Sequence, residues 1–539
     1  MKTLLVGINS KFIHPAMGIM QLAANTTWPV LIREFTIKDD FHKVVEEIAL
    51  VDADLIGISV YIWNACFVKE VLKLLHSKPI VVLGGPEVSF RPDEYFIFPN
   101  VKYIVKNEGE LALTQLLDYY HNKCLLTEVS NLYYKTNEIH YTYDLIPDIN
   151  HINHQYELMG DPKNRYVYLE SSRGCPYSCS YCLASLDKKV RFFPLDQIKQ
   201  EILWAINAHA KTIKFLDRTF NVENKRMIEI LTFIKNHDNN HAVFQFEVVA
   251  DLITDEVIAF LQQIRPGLIR FEIGIQSINE KTTAAINRKQ DFLKTKDVVA
   301  KIKDNITIHL DLIAGLPYED KASFQNTFSQ TLLMFPDELQ LGILKALAGT
   351  KIVKEKDLHD YDFNELPPYD IQNNKYLTQQ DLQEIKLVEE GLNRYYNSHR
   401  FEKAMKYLLT EVKYNPYDLF LVLGTYLKDH PTAFLQIKDL ASALFKAIQV
   451  PNQDYFLFLI KQDYLEKALL KPPIWWEYPL SKQEKNATNA LFKKQYRELS
   501  LTDLSHNSRL EKYETKQEIQ YFLVLYKPKN IFKLTIKKD

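Results

Sequence analysis

Through the first 350 or so positions, short runs of consecutive apolar residues alternate with segments whose apolar positions recur every three or four residues. In residues 1–125 the runs are "KTLLVGI", "DLIGISVYIW", "PIVVLGGPE" and "VKYIVKNEGE". Continuous runs of this length suit parallel strands buried on both faces. The segment "FVKEVLKLLHS" between two of them has helical spacing and reads as a crossover. The pattern predicts a doubly wound, Rossmann-like α/β unit over residues 1–125. Its ligand edge would carry the strand ends "GINS", "ISVY" and "GGPEVS".

A polar stretch, residues 126–160, reads as a linker. From 161 to 354 the alternation resumes with six strand candidates: "RYVYLES", "KTIKFLDRTF", "AVFQFEVVA", "LIRFEIGIQS", "ITIHLDLIAGLP" and "ELQLGILKAL". Helical segments such as "LDQIKQEILWAINAHA" separate them, which predicts a partial (β/α)6 barrel with its chemistry at the carboxyl ends of the strands. After residue 355 the texture becomes mostly helical and rich in Tyr, Phe and Lys, marking a C-terminal accessory domain, 355–539. It ends in "FLVLYKPKNIFKLTIKKD", a hairpin pattern with lysine-rich edges. Trp475 and Trp476 read as packing of this domain on the barrel.

Three domains also suit 539 residues, more than one core usually supports. A net charge of −2 offers no global field for nucleic acid or an anionic membrane, so neither is expected as a partner. The N-terminus lacks a signal-peptide pattern, and no window reaches the ~18 apolar residues of a membrane span, so a cytoplasmic location is expected. Five cysteines argue against a disulfide framework. Cys66 and Cys124 read as small buried apolar residues.

The other three, Cys175, Cys179 and Cys182, stand at C-x3-C-x2-C in "SSRGCPYSCSYCLAS", directly after the first barrel strand. Such thiolates hold either zinc or an iron–sulfur cluster. A zinc site would need a distant fourth ligand, and a nucleophile explains only one sulfur. A cubane on three cysteines leaves one iron open to a small molecule, and the barrel context favours that reading.

"RGCPYSCSYC", with Tyr181 before the last cysteine, resembles the cluster loop of the radical S-adenosylmethionine (SAM) family. "FEIGIQSINEKTTAAINR", "HLDLIAGLPYED" and "LGILKALAGT" resemble that family's fourth, fifth and sixth strands, in order. "GINSKFIHPAMG", "ADLIGISVY", "VVLGGPEVS" and "IVKNEGE" resemble the cobalamin (B12)-binding domain that often precedes the barrel, and the C-terminal region resembles an accessory domain of unknown function found in one subgroup. The resemblance implies a 4Fe–4S cluster on Cys175, Cys179 and Cys182, with SAM chelating the open iron and yielding a 5′-deoxyadenosyl radical on one-electron reduction. It implies SAM contacts at Tyr181, Asp217, Arg218, Glu272, Gln276, Ser277, Asp311, Gly315 and Pro317. Asp217 and Arg218 lie in "FLDRTFN" rather than a glycine-rich acidic version, so they also read as a surface ion pair. Asn9, His14, Ser59, Gly84, Gly85, Pro86, Glu108 and Gly109 would contact cobalamin. No D-x-H-x-x-G signature is present: "DDFHKVV", with Asp40 and His42, reads as solvated surface. His14 reads as a corrin-edge or turn residue rather than a cobalt ligand. The function expected is radical methyl transfer to a substrate that the sequence does not name, with a small flavodoxin or ferredoxin as electron donor. The alternatives are a radical SAM oxidoreductase or mutase that does not use methylcobalamin, and a zinc-stabilised, non-catalytic binding module.

Overall fold

A computed structural model describes residues 1–75, 79–431, 436–477, 480–500, 504 and 507–538. They form two compact units, residues 1–320 with 342–378, and residues 321–341 with 379–539. In the first unit, β1 (Thr3–Asn9), β2 (Val30–Thr36), β3 (Leu55–Ser59), β4 (Ile80–Gly84) and β5 (Val101–Val105) pair in parallel in the order β2-β1-β3-β4-β5. The order reverses between β1 and β3, the point at which such sheets bind ligands. All seven residues of β1 are buried, which is why the strand is a continuous apolar run. Leu4, Val6 and Ile8 face one core, and Leu5, Val82 and Val105 face another beneath Ile19, Leu113 and Leu116. Asp40 caps the helix Phe41–Leu50 by accepting from the His42 and Lys43 amides, and Asp40 and His42 are exposed as expected.

The segment expected to be a linker is partly sheet. Following β5, β6 (Leu132–Lys135) and β7 (Ile139–Tyr141) form a hairpin that extends the N-terminal sheet antiparallel to β5. The Tyr133 and Tyr141 rings pack across it, tilted, at 4.5 Å. "NLYYKTNEIHYTY" thus reads as an edge hairpin whose polar residues face water.

The barrel strands are β8 (Val167–Leu169), β11 (Thr212–Phe215), β12 (Val243–Glu247), β13 (Ile269–Gln276), β14 (Thr307–Ala314) and β15 (Glu338–Ile343), in sheet order β15-β14-β13-β12-β11-β8. All six expected strands are present. Between β8 and β11, β9 (Ser172–Arg173) and β10 (Arg191–Phe192) pair antiparallel. Along β13, Phe271, Ile273 and Ile275 are buried while Arg270, Glu272, Gly274 and Gln276 share the other face. Residues 355–378, expected in the accessory domain, fold with the first unit. They carry a small hairpin, β16 (Asp362–Phe363) with β17 (Ile371–Asn373), beside Tyr369, which donates to Glu87 and stacks under Arg91.

In the second unit, helices Gln379–Tyr395 and Pro416–Asp429 pack so closely that a Cβ on Gly424 would lie 1.9 Å from the Leu387 carbonyl. The expected terminal hairpin gains a third strand, giving β18 (Ser508–Glu514), β19 (Glu518–Tyr526) and β20 (Lys529–Lys537), with β20 as a lysine-bearing edge. Trp476 donates to Glu511 at 3.1 Å and sits edge-on to Tyr464, and Trp475 faces Phe445. The tryptophan pair thus makes these contacts inside its own unit. Cys66 is exposed and Cys124 partly so, which corrects the reading of both as buried apolar residues.

Arg165, at the start of the barrel, grips the loop after β1. It makes a bidentate pair with Glu34 at 2.8 Å and donates to the Phe12 and His14 carbonyls. Burial alone would raise the Glu34 carboxyl, but hydrogen bonds from Arg165 and the Ala16 amide hold it below its usual value. A depressed carboxyl adds stability above its unfolded pKa and loses it as pH falls through the folded one. Arg165→Met is expected to cost about 2 kcal/mol at pH 7, less than for a fully buried pair because Glu34 keeps some water contact. Below pH 4.5 the difference between variant and wild type should shrink, read from urea unfolding at pH 7 and at more acidic pH.

Candidate functional site

The three cysteines lie on the loop between β9 and β10. Cys175 and Cys179 are buried and Cys182 is partly exposed. Gly174 has φ +88°, and a Cβ there would fall 2.4 Å from the Lys189 carbonyl, so the tight neck of the loop requires glycine. The Cys175 amide donates to the Asp187 carbonyl at 2.9 Å, and Ser180 bridges the Ile286 carbonyl and the Ile352 amide. Arg288 reaches the Cys179 sulfur at 3.9 Å and the Tyr181 hydroxyl at 3.5 Å. Burial pushes the Cys182 thiol up and Arg218 opposes it. Among the described residues, no group of three or more His, Cys, Asp or Glu closes around a single-ion position. The thiols of this one loop are the donor set that an iron–sulfur cluster with one free iron would use.

The strand-end candidates separate into two kinds. Asp217 is buried and accepts from the Ser171 amide and from the Ser171 and Ser172 hydroxyls at 2.6–2.8 Å. Burial pushes its carboxyl up to about 6 against those bonds. It therefore fixes the bend from β8 into the cysteine loop and is no surface ion pair. Its neighbour Arg218 points the other way, 3.9 Å from Glu247. Ser277 is fully buried, donates to Glu319 at 2.5 Å and accepts from the Asn279 amide, so packing uses its hydroxyl. Gly315 has φ +100° with Ile371 pressed 3.0 Å from where its Cβ would be, and Pro317 is buried. Glu272 accepts from Gln245 at 2.6 Å, and Asp311 pairs with His309 at 3.0 Å. Gln276 sits at a bulge with φ +65°, and its buried Oε1 has no hydrogen-bond partner. An orphaned acceptor at that point is the kind of group a bound ligand satisfies.

Glu247, at the end of β12, was not anticipated. Burial pushes its carboxyl up to about 7, with Glu272, Asp311 and Asp217 adding repulsion and Arg218 opposing. "FQFEVVA" contains it within the predicted strand, but only the neighbouring strands reveal the company of acids.

A cavity of about 880 Å³ lies between the carboxyl edge of the N-terminal sheet and the barrel rim. Its walls include Asn9, His14, Ser59, Gly84, Gly85, Pro86, Glu108 and Gly109 from the expected set. Tyr168, Arg173, Gly174 and Arg218 line it from the barrel. A slot of apolar residues, among them Leu5, Leu22, Val82 and Leu113, opens beneath. Several of the expected contacts are nevertheless committed within the protein. Asn9 donates to Glu34 at 3.0 Å. Gly85, at φ +104°, allows the Val60 carbonyl to lie 2.5 Å from its Cβ position. Glu108 pairs with Arg173 at 2.9 Å and with Arg191. His14 shares a 2.6 Å hydrogen bond between Nδ1 and the Tyr168 hydroxyl, and burial, with Lys214 and Lys11, lowers its pKa.

Comparison with known proteins gives matches to three families: the B12 binding domain over residues 3–117, the radical SAM superfamily over 169–330, and the protein of unknown function DUF4080 over 357–537. An uncharacterized methyltransferase of Pyrococcus horikoshii is 29% identical over 58% of this chain and 71% of its own. The cobalamin-dependent radical SAM methyltransferase TokK of Streptomyces tokunonensis is 24% identical over 53% of this chain, which spans 46% of TokK. In fold, the cobalamin-dependent SAM radical enzyme OxsB with aqua-cobalamin bound superposes with a TM-score of 0.57 at 13% identity, over 86% of this chain and 80% of that one. The radical SAM methyltransferase TsrM of Kitasatospora setae, with cobalamin and a [4Fe-4S] cluster, gives 0.55 at 14% identity, over 68% and 82%. These domains imply a 4Fe–4S cluster, SAM and cobalamin as cofactors and a reductant to drive the cluster. No helix among the described residues is long and apolar enough to cross a membrane. The chain is a radical SAM enzyme with an N-terminal B12-binding domain and a C-terminal DUF4080 domain.

Proposed function

We propose that this enzyme transfers a methyl group to an unactivated carbon of its substrate by radical chemistry in the shared cavity. The observation that carries the reading is that one cavity is bounded both by the ligand edge of the B12-binding sheet and by the cysteine-loop neck. When bound, the cluster with SAM supplies hydrogen-atom abstraction and cobalamin supplies the methyl group. Cys175, Cys179 and Cys182 would hold the cluster, with Arg288 as the cation beside it. Gln276, Glu272 and Asp311 would contact SAM along the barrel interior, and Glu247, its carboxyl raised by burial, would be a further polar contact there. Asp217 positions the loop rather than touching a cofactor. Ser59, Gly84, Pro86 and Gly109 would face the corrin, and the slot beneath would exclude water from its nucleotide tail. His14, held by Tyr168, would meet the corrin edge. The reading includes a cytoplasmic setting and a small flavodoxin or ferredoxin as electron donor. Relatives named as methyltransferases support the reaction class.

Anoxic incubation with methyl-labelled SAM should put label on cobalamin and then on product; SAM cleavage with no methyl transfer would point instead to an oxidoreductase or mutase. Cys179→Ser should abolish the reduced-cluster paramagnetic signal while corrin is retained after desalting. Gly84→Phe should do the reverse. A Cβ at Gly84 meets only ordinary contact with Val105, so the larger side chain projects into the cavity, and corrin retention should fall with iron content unchanged.

A further inference from the structure

Arg173 and Arg191 are direct cross-strand partners where β9 meets β10, and everything between them is the cysteine loop. Like charges facing each other across a strand pair oppose its closure. Four carboxylates compensate. Glu170 lies 3.0 Å from Arg173, and Asp187 lies 2.8 Å from Arg191. The other two come from the N-terminal domain: Glu110 reaches Arg173 at 2.7 Å, and Glu108 bridges both arginines, with one oxygen 2.9 Å from Arg173 and the other on Arg191. Of these four carboxylates, Glu108 is the one that touches both arginines. Its loop, Asn107–Glu110, also lines the cavity, and Arg173 is two residues from Cys175.

We propose that Glu108 is a positioning residue through which occupancy of the cavity is transmitted to the neck of the cysteine loop. This rests on the cofactor reading above. A ligand seated against Asn107–Glu110 fixes the Glu108 carboxylate, which holds Arg173 and Arg191 together and closes the loop that presents the three thiols. The cluster environment is then a function of whether cobalamin is bound, and a cluster is poised only when the methyl carrier is in place.

The test uses the full chain, aquacobalamin as the probe, and Glu108→Gln. In iron-free wild type, aquacobalamin should slow amide hydrogen exchange of residues 174–193 roughly tenfold, the scale on which a held charge pair restrains local opening. In reconstituted wild type it should shift the midpoint potential of the cluster. Glu108→Gln, assayed at saturating aquacobalamin, should leave both quantities unresponsive to the corrin; Glu108→Asp should recover part of the response. If Glu108→Gln fails to fold, Arg191→Gln reads the same contact from the other strand. Wild type that binds both cofactors with no change in exchange or potential overturns the coupling and leaves the methyl-transfer reading standing. A full response in Glu108→Gln does the same. Wild type that binds neither cluster nor corrin overturns both.

Discussion

Two guanidinium groups set opposite each other at the neck of a loop make that loop conditional on its acids. Arg173 and Arg191 bury most of their side chains, so each must find charge-assisted partners. The barrel supplies only Glu170 and Asp187; the remaining charge arrives from Glu108 and Glu110 at the start of a helix in another domain. The cysteine loop is therefore completed by the N-terminal domain. Gly174, with no room for a Cβ at the neck, and Asp217, spent on Ser171 and Ser172, tighten the same bend from the barrel side. Removing the acids would leave the loop its sequence but not its closure.

The barrel interior follows a related logic. Arg270 donates toward His309 Nδ1 at 2.6 Å, and His309 Nε2 faces Asp311 at 3.0 Å. Gln245 satisfies Glu272, leaving Glu247 with Arg218 as a distant counterion. An interior lined this way cannot collapse into an apolar core as an ordinary closed barrel does. These side chains line the barrel interior with polar groups, and the orphaned Gln276 Oε1 marks one point where a polar guest would bond.

The domain order, the six barrel strands and the cysteine loop were legible because each rests on local periodicity or spacing. The Leu132–Tyr141 hairpin was not, since short tyrosine-rich strands with polar faces resemble a linker until a sheet edge is available to receive them. Site residues were legible as positions more than as roles. Glu108 was expected at the corrin because it follows a strand end, yet its partners lie 65 and 83 residues away. Ser277 and Gly315 belong to recognisable strand-end motifs but are used up by Glu319 and Ile371. Arg288 and Tyr168 lie inside quoted segments and carried no signal of their own. A residue's place along a strand is local information; which neighbour consumes its hydrogen bond is not.

The cavity rim is fastened at three separate places besides its floor. Arg165 holds the β1 loop, Glu108 holds the cysteine-loop neck, and Tyr369 with Gly349 holds the turn after β4 through Glu87 and Phe90. Each fastening joins the B12-binding domain to the barrel or to the segment that follows it. The walls held at Arg165 and at Tyr369 are formed before a ligand arrives, so binding need order only the Glu108 side of the rim. The same rigidity restricts which motions remain. With those two places pinned, the part of the rim left to answer a ligand is the Asn107–Glu110 loop. Its Glu108 ends on Arg173, two residues from Cys175.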